Sequence, residues 1–236
     1  MNTINSFSDR YKRNQNLLNQ NQQDKLFKSK VCIIGLGGLG GCVVEMLARI
    51  GIGNLKGYDS DTFDSTNLNR QLYSQENLLG VSKAEATSER IKLINSQIQF
   101  KFLDTLLTNK NAYDLIKGSD VVMDCLDSIE TRFVLEAASK KANIPLVSGA
   151  IAGVSGQVTV IFPEDKGFEL IYGGKKRSSN HGIEKELGNL CYSAFLISSI
   201  QVSQCINILL NQNNILRNQL FVADLSSNFF EIIDLI

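Results

Sequence analysis

A glycine-rich turn is the first feature of this sequence whose residue types and spacing could do chemistry. Gly35, Gly37, Gly38 and Gly40 fit the pattern G-x-G-x-x-G, directly after an apolar stretch and before a helical one. Glycine at these positions permits a tight turn, lets the backbone approach a phosphate and packs the helix closely on the strand. The amino terminus of the helix adds N–H donors and a positive dipole. The pattern predicts a nucleotide site.

An acidic residue follows at the spacing that ribose recognition requires. Asp59 lies 24 residues after Gly35, at the end of the second apolar stretch. A carboxylate there can accept hydrogen bonds from both ribose hydroxyls. NAD and ATP share this arrangement, so the turn and Asp59 together leave the nucleotide open.

A polar loop and a lysine indicate which nucleotide it is. Residues 64–71 read DSTNLNRQ and place Asn67, Arg70 and Gln71 where ligands of open α/β sheets bind. The guanidinium of Arg70 suits phosphate oxygens, and Lys83 could reach the same phosphates as a point charge. Two cations aimed at one ligand favour a triphosphate over a nicotinamide. A solvated loop and an exposed helical lysine are the alternative interpretation.

A pair of carboxylates closes the later strand DVVMDCLD. Asp124 and Asp127 are three residues apart, at a strand end on the expected phosphate side. Mg²⁺ prefers oxygen ligands shared between a carboxylate and phosphates, so Asp127 is predicted to bind Mg²⁺. Asp127 could also cap the helix that begins near Ser128, and the two roles are compatible.

The elements that must position these residues alternate between strand and helix. Such alternation implies right-handed crossovers. The predicted fold is α/β: a Rossmann-like, doubly wound, mostly parallel sheet with an antiparallel C-terminal extension. Strands are predicted at 30–35, 55–59, 97–103, 120–125, 145–148, 157–162 and within 219–236, and helices at 14–27, 40–50, 82–95, 109–116, 129–142 and 194–210.

Length and composition predict one domain over residues 1–236. Residues 1–29 form a polar N-terminal helical arm, and residues 163–190 lack periodicity and form a long crossover loop, which at that length tends to be functional. The only histidine, His181, lies in that loop and is expected at the surface.

Charge and hydropathy argue against several classes of partner. Lys plus Arg and Asp plus Glu are balanced at 24 each, so no global field attracts nucleic acid or an anionic membrane. The N-terminus has no apolar signal region, and no apolar run approaches the length of a membrane span. A cytoplasmic protein is expected.

The five cysteines do not form metal-binding pairs. None has the spacing CxxC, so neither a local zinc knuckle nor a disulfide framework is expected. Buried, reduced thiols are expected at four positions. Cys191 sits near the crossover loop and is the candidate for a reactive thiol.

An ordered set of segments resembles the ThiF/MoeB/HesA adenylyltransferases, relatives of the adenylation domain of ubiquitin-activating enzymes. The set spans nearly the whole chain in family order, which is far more specific than a lone glycine motif. The segments are RYKRN (10–14), KVCIIGLGGLGGCVVEMLARIGIGNL (30–55), YDSDTFDSTNLNRQLY (58–73), GVSKAEA (80–86), DVVMDCLDSIETRF (120–133), IPLVSGAIAGVSGQVTVI (144–161) and, more loosely, SSIQVSQCINILL (198–210).

The resemblance implies a reaction. The family condenses a carboxylate, usually the C-terminal Gly-Gly of a ubiquitin-like sulfur carrier of the ThiS/MoaD type, with ATP to give an acyl adenylate and pyrophosphate. By similarity, Arg70, Lys83 and Asp127 with its Mg²⁺ are catalytic, and Arg13 reaches into the partner's active site of a homodimer. The ATP site would comprise Gly35, Gly37, Gly38, Gly40, Asp59, Asp61, Asn67, Arg70, Gln71, Lys83, Asp127 and Ser128.

The sequence departs from the family pattern in two ways. Many members hold a structural zinc with two CxxC pairs, which this chain lacks, so no zinc is expected. Several members also use a cysteine in the crossover loop, where residues 163–190 have none. An enzyme that stops at the adenylate is therefore expected.

Three other functions remain open at this point. The same chemistry could activate a peptide or a small-molecule carboxylate in cofactor or natural-product biosynthesis. A Rossmann dehydrogenase using NAD is compatible with the glycine turn, although it leaves Asn67, Arg70, Lys83 and Asp127 without a role. A non-catalytic scaffold is the last alternative, and the retained polar residues argue against it.

Overall fold

A mixed sheet organises the computed structural model of the chain, which describes residues 9–173 and 187–236. Its eight strands lie in the order β3-β2-β1-β4-β5-β6-β7-β8. The strands are β1 (Lys30–Ile34), β2 (Asn54–Asp59), β3 (Gln99–Asp104), β4 (Val121–Asp124), β5 (Leu146–Ala152), β6 (Ser155–Ile161), β7 (Gln219–Asp224) and β8 (Phe229–Asp234).

Helices connect the strands and cover the sheet. A 3-10 helix, Asp9–Asn14, precedes them, and two further 3-10 turns, Ser65–Asn67 and Glu76–Leu78, follow β2. The α-helices are α1 (Gln20–Lys28), α2 (Gly38–Ile50), α3 (Lys83–Ile94), α4 (Ala112–Ile116), α5 (Ile129–Ala142), α6 (Phe168–Tyr172) and α7 (Cys191–Leu209).

The strand pairing confirms the predicted fold class. β3, β2, β1, β4 and β5 are parallel neighbours, and β5 through β8 are joined by antiparallel pairing. The direction of winding reverses between β1 and β4. Ligands of doubly wound sheets bind at such a switch point, outside the carboxyl ends of the strands.

Two hydrophobic cores lie on opposite faces of the sheet. Along β1, Val31 and Ile33 belong to one core, and Cys32 and Ile34 to the other. Side chains alternate between the faces of a strand, and a parallel strand covered by helices on both sides is apolar throughout. This explains the continuous apolar run that precedes the glycine turn.

Several elements differ from their expected bounds. The N-terminal helix begins at Gln20, where Asn19 and Gln22 form a capping box, rather than at residue 14. β5 extends to Ala152 because its second half pairs with β6. The five-residue helix α6, inside the stretch expected to be irregular, packs its rings at Phe168 and Tyr172 against Phe133.

Helix α7 is the one helix among the described residues whose length and composition would also suit a membrane span. About half of it is buried in the protein. Its buried Gln201 donates from Nε2 to the backbone oxygen of Asp124 at 2.9 Å, which ties the helix to the end of β4. Length and composition alone are weak evidence for a span, because core helices pass the same test.

A charged clamp joins the segment after β6 to the segment before β7. The Arg217 guanidinium donates to Asp165 at 2.7–3.1 Å and to Glu164 at 2.6 Å. Its carbon lies 4.7 Å from the centre of the Phe162 ring. Asp165 is buried while Arg217 and Glu164 are partly exposed. We refer to these four residues as the Arg217 clamp.

Candidate nucleotide and carboxylate site

The glycine turn between β1 and α2 has no room for side chains at two of its positions. Gly35 has a φ of +88°, and a Cβ there would lie 2.7 Å from the backbone oxygen of Cys125. A Cβ on Gly40 would lie 1.8 Å from the oxygen of Gly35. Gly40 therefore permits the close packing of α2 on the turn, and α2 begins at Gly38, two residues earlier than expected.

A cavity of 1020 Å³ opens at the carboxyl ends of the parallel strands, beside this turn. Among the residues predicted for the site, Gly40 and Ser128 do not line the cavity, and neither does Arg13, which lies exposed in the first 3-10 helix. Those that line it are Gly35, Gly37, Gly38, Asp59, Asp61, Asn67, Arg70, Gln71, Lys83 and Asp127.

Asp59 is held at the end of β2 by backbone donors. Its Oδ2 accepts from the N–H of Leu36 at 2.7 Å, and its Oδ1 from the N–H of Asp61 at 2.9 Å. Burial raises the pKa of the carboxyl, and these two hydrogen bonds oppose that shift. Each carboxylate oxygen retains a second acceptor position, which suits a pair of hydroxyl donors.

The loop after β2 is folded by its own polar side chains. Asp64 and Asn67 form a capping box around the 3-10 turn Ser65–Asn67, which leaves Asn67 buried at the cavity wall. The Arg70 Nη1 donates to the backbone oxygen of Thr66 at 2.8 Å, which fixes the direction of the guanidinium. The buried Gln71 carries an Oε1 atom without a hydrogen-bond partner.

Lys83 is buried, so the alternative interpretation of an exposed helical lysine is wrong. Only 6% of the residue is exposed, at the first position of α3. Its Nζ lies 2.9 Å from Oδ2 of Asp61, whose side chain is two-thirds exposed. The pairing places a cation and an anion together at the wall of the cavity.

The two carboxylates at the end of β4 lie in different surroundings. Asp127 lines the cavity, whereas Asp124 is fully buried and bonded to Arg132 at 2.9 Å. Ser148 also donates to the same oxygen of Asp124, at 2.6 Å. The expected pair of carboxylates facing the phosphates is therefore wrong for Asp124. Ser128, rather than Asp127, occupies the N-cap position of α5.

The far end of the cavity is formed by elements that sequence reasoning did not assign to the site. It reaches the hairpin between β5 and β6, where Gln157 donates to the hydroxyl of Tyr172 at 2.9 Å. Asn189, which bridges to Gly153 of the hairpin, has a buried Oδ1 without a partner. The available signal was the resemblance of the quoted segments 120–133 and 144–161, which contain Arg132 and Gln157.

The five thiols are free, and burial raises the pKa of four of them. Burial raises the pKa of Cys32 and of Cys42 to about 12, and also raises that of Cys125 and Cys205. Cys191 is half-buried at the first position of α7, directly after the predicted crossover loop. His181 and the basic residues 175–177 lie outside the described residues.

The fold and the cavity define a Rossmann-like α/β protein with a large polar site at the switch point of its sheet. The chain belongs to the ThiF family, whose model matches residues 11–235.

Individual relatives and solved structures share about a fifth to a third of their residues with the chain. The chain is 28% identical to the SAMP-activating enzyme E1 of Haloferax volcanii, over 89% of this chain and 77% of that protein. It is 34% identical to the adenylyltransferase and sulfurtransferase MOCS3 of Dictyostelium discoideum, over 88% of this chain but only 49% of the relative. The chain thus spans about half the length of that relative. A structure of E. coli MccB with ATP superposes with a TM-score of 0.82 at 21% identity, over 97% of this chain and 72% of MccB.

Proposed function

We propose that the chain is an ATP-dependent adenylyltransferase that activates the C-terminal glycine of a ubiquitin-like sulfur carrier, forming an acyl adenylate and pyrophosphate. One observation carries the proposal: a single cavity holds the glycine turn, Asp59, Arg70 and Lys83 at one end and extends to the β5–β6 hairpin at the other. ThiF family membership and the relatives' names support the same reaction class.

The residues present fit ATP. The turn at Gly37 and Gly38 brings backbone to the wall of the cavity, where phosphates can approach it, and Asp59 accepts from the ribose. The cations of Arg70 and Lys83 balance phosphate charge. The buried Oε1 of Gln71 has no hydrogen-bond partner, and a donor group of a ligand in the cavity can bind it.

Asp127 is the residue that would hold Mg²⁺. The described residues contain no group of three or more acidic, histidine or cysteine side chains around one point. A nucleotide-bound Mg²⁺ needs only one or two carboxylates from the protein, with phosphates and water completing its six ligands. Bound there, the ion would neutralise charge on the phosphates.

The chemistry requires positioning and charge stabilisation only. An oxygen of the ionised carboxylate attacks the α-phosphorus of ATP, the bond from that phosphorus to the bridging oxygen breaks, and pyrophosphate leaves with the electron pair. No proton moves, so no general base is needed. Arg70 and Lys83 stabilise the developing charge, and Arg13 of a homodimer partner would add to it in trans.

The far end of the cavity suits an extended tail that belongs to a larger partner. The tail would run along the hairpin past Gln157 and Asn189, whose free Oδ1 can accept from a peptide N–H. At the edge of the sheet, beyond β7, β8 exposes apolar side chains, which are typical of a protein-binding surface. These are Phe229, Phe230, Ile232 and Ile233. Because residues 163–190 contain no cysteine, sulfur transfer would fall to another protein.

ATP–pyrophosphate exchange tests the proposal. We expect exchange with added carriers that end in Gly-Gly, and loss of exchange when the terminal glycine is removed. Exchange with only a short peptide or a small acid would instead favour the alternative substrate class. Tight NAD(H) binding with no exchange from any carboxylate would overturn adenylation.

A further inference from the structure

An extended set of polar contacts at the wall of the cavity belongs to Arg132 of α5, which the proposed mechanism does not use. Its Nη1 donates to Oδ2 of Asp124 at 2.9 Å, to Oγ of Ser148 at 3.0 Å and to the backbone oxygen of Gly149 at 2.8 Å. Its Nη2 donates to the backbone oxygen of Leu126. The side chain is only 4% exposed. The guanidinium is thus committed to protein groups on three separate segments.

The first consequence concerns the turn between β4 and α5. Asp124 accepts from the N–H of Leu126 at 3.0 Å through Oδ1, while Arg132 binds the oxygen of Leu126 from the other side. Both backbone polar groups of Leu126 are therefore fixed by one buried ion pair. Asp127 is the next residue, and it lines the cavity.

The second consequence concerns β5. The contacts of Arg132 to Ser148 and Gly149 immediately precede Ala150, where β5 begins to line the far end of the cavity. One guanidinium thus sets the distance between the turn that carries Asp127 and the strand along which the acyl group would lie.

We propose that Arg132 is a positioning residue that aims the Asp127 carboxylate at a divalent cation carried by the bound nucleotide. The proposal rests on the proposed function, because it takes ATP with Mg²⁺ as the ligand. A buried ion pair gives little net stability, since desolvation offsets the attraction between its charges. Its value here is geometric: the charge of Asp124 is balanced by Arg132 away from the ligand, and the turn that carries Asp127 is held in place.

The positions of the acceptors around residue 132 explain why this residue is an arginine. A guanidinium offers five donors in a planar fork, which can reach Asp124, Leu126 and the β5 backbone together. The ammonium of a lysine keeps the charge but satisfies these separated acceptors less well. Arg132→Lys therefore separates geometry from charge, and Ser148→Ala removes one side chain of the network while leaving the ion pair in place.

The test measures ATP affinity by calorimetry, once with Mg²⁺ and once with EDTA, in the complete chain. The dissociation constant in EDTA divided by the dissociation constant in Mg²⁺ gives the contribution of the metal. We expect Arg132→Lys to reduce that ratio by about tenfold to a hundredfold, as changes behind a metal ligand do, and Ser148→Ala to reduce it by about fivefold. ATP affinity in EDTA should stay within about twofold of the wild type, because the glycine turn and Asp59 are untouched.

Two further variants separate the possible failures. Asp127→Asn should abolish the effect of Mg²⁺, and adding Arg132→Lys to it should produce no further change in the ratio. Arg217→Gln, which removes an ion-paired arginine remote from the cavity, should keep the wild-type ratio.

If Asp127→Asn retains the effect of Mg²⁺, the metal role in the proposed function fails and the inference fails with it. If Asp127→Asn loses the effect but Arg132→Lys and Ser148→Ala keep it, only the inference is overturned. Equal weakening of ATP in Mg²⁺ and in EDTA would assign Arg132 a purely structural role, which also overturns it.

Discussion

The parallel half of the sheet and its antiparallel half differ in how their side chains are covered. Both faces of β1 are buried, and the charged groups around it are fixed by hydrogen bonds, as Asp59, Lys83 and Arg132 show. Every residue of β8 is exposed, and four of its six side chains are large and apolar. The parallel half fixes the charged groups of the cavity by hydrogen bonds, and the outermost strand of the antiparallel half exposes apolar side chains.

This difference separates two requirements of the proposed reaction. Stabilising a transition state needs donors and charges that are already in place, since a displacement of about 1 Å can cost a hundredfold in rate. Capturing a partner needs apolar area that leaves water on contact. We therefore expect changes in the parallel half to alter the chemical step or stability, and changes on β8 to alter substrate affinity.

The largest expected effect is that of Arg70→Ala in the parallel half. Loss of a fixed cation beside the phosphates should lower the exchange rate by about a hundredfold to a thousandfold. The melting temperature should remain close to that of the wild type, because the loop keeps its Asp64–Asn67 capping box. Arg49→Ala, on α2 and away from the cavity, is the matched control. Unchanged exchange in Arg70→Ala would remove this residue from catalysis.

The next effect concerns β8. Phe230→Glu should raise the KM for a carrier that supports exchange by about tenfold, with kcat nearly unchanged, since a lost interface anchor typically costs over 1 kcal/mol. The same variant should not affect exchange with a small acid. Leu93→Glu, at an exposed position of α3, is the matched control. An equal effect of the two substitutions would argue against β8 as the docking surface.

Packing substitutions in the two halves should have smaller effects, on the free energy of unfolding. Ile33→Val on β1 should lower the free energy of unfolding by about 0.5–1.5 kcal/mol, because it removes a methyl group from a fully buried site. Ile232→Val on β8 should change it by less than about 0.5 kcal/mol, since Ile232 is 55% exposed. Denaturant titration measures both. A similar loss at Ile232 would indicate that β8 is covered in solution.

The smallest expected effect is a pH dependence at Asp59. Because burial raises its pKa, the carboxyl takes up its proton at a higher pH than an ordinary aspartate. Protonation removes an acceptor for the ribose, so ATP affinity should weaken as the pH falls from neutral through that pKa. Stability has the opposite sign: ionising the buried carboxyl costs free energy, so its contribution declines as the pH rises through the same range.

Asp59→Asn provides the reference for that measurement, because ATP itself also titrates. Calorimetry on the wild type and on the variant at matched pH values isolates the contribution of Asp59. Parallel pH profiles for the two proteins would show that Asp59 does not contribute in its ionised form.

The sequence predicted the parts of the fold that depend on local pattern. Helix α5 was expected at 129–142 and is observed as Ile129–Ala142, because its boundaries follow from nearby residues. The second half of β5 was missed because only pairing with β6 makes it a strand. Helix α6 was missed because five residues carry no periodicity, and contacts between its rings and Phe133 hold it.

In the candidate site, too, the sequence predicted only the features that depend on neighbouring residues. The glycine turn and Asp59 could be placed from spacing, because they border consecutive elements. The burial of Lys83 and the withdrawal of Asp124 could not, since each depends on a partner distant along the chain: Asp61 for the lysine, and Arg132 with Ser148 for the aspartate. A carboxylate at a strand end is visible in the sequence, but its counterion is not.

The Arg217 clamp also makes the contact between the segment after β6 and the segment before β7 sensitive to salt. It joins the segments that flank β6 and β7 through side-chain charges and an aromatic ring. Salt screens exposed charges more strongly than buried ones, so it should weaken the pair of Arg217 with Glu164 more than the pair with the buried Asp165. The contact between these two segments should therefore loosen in part as the ionic strength rises.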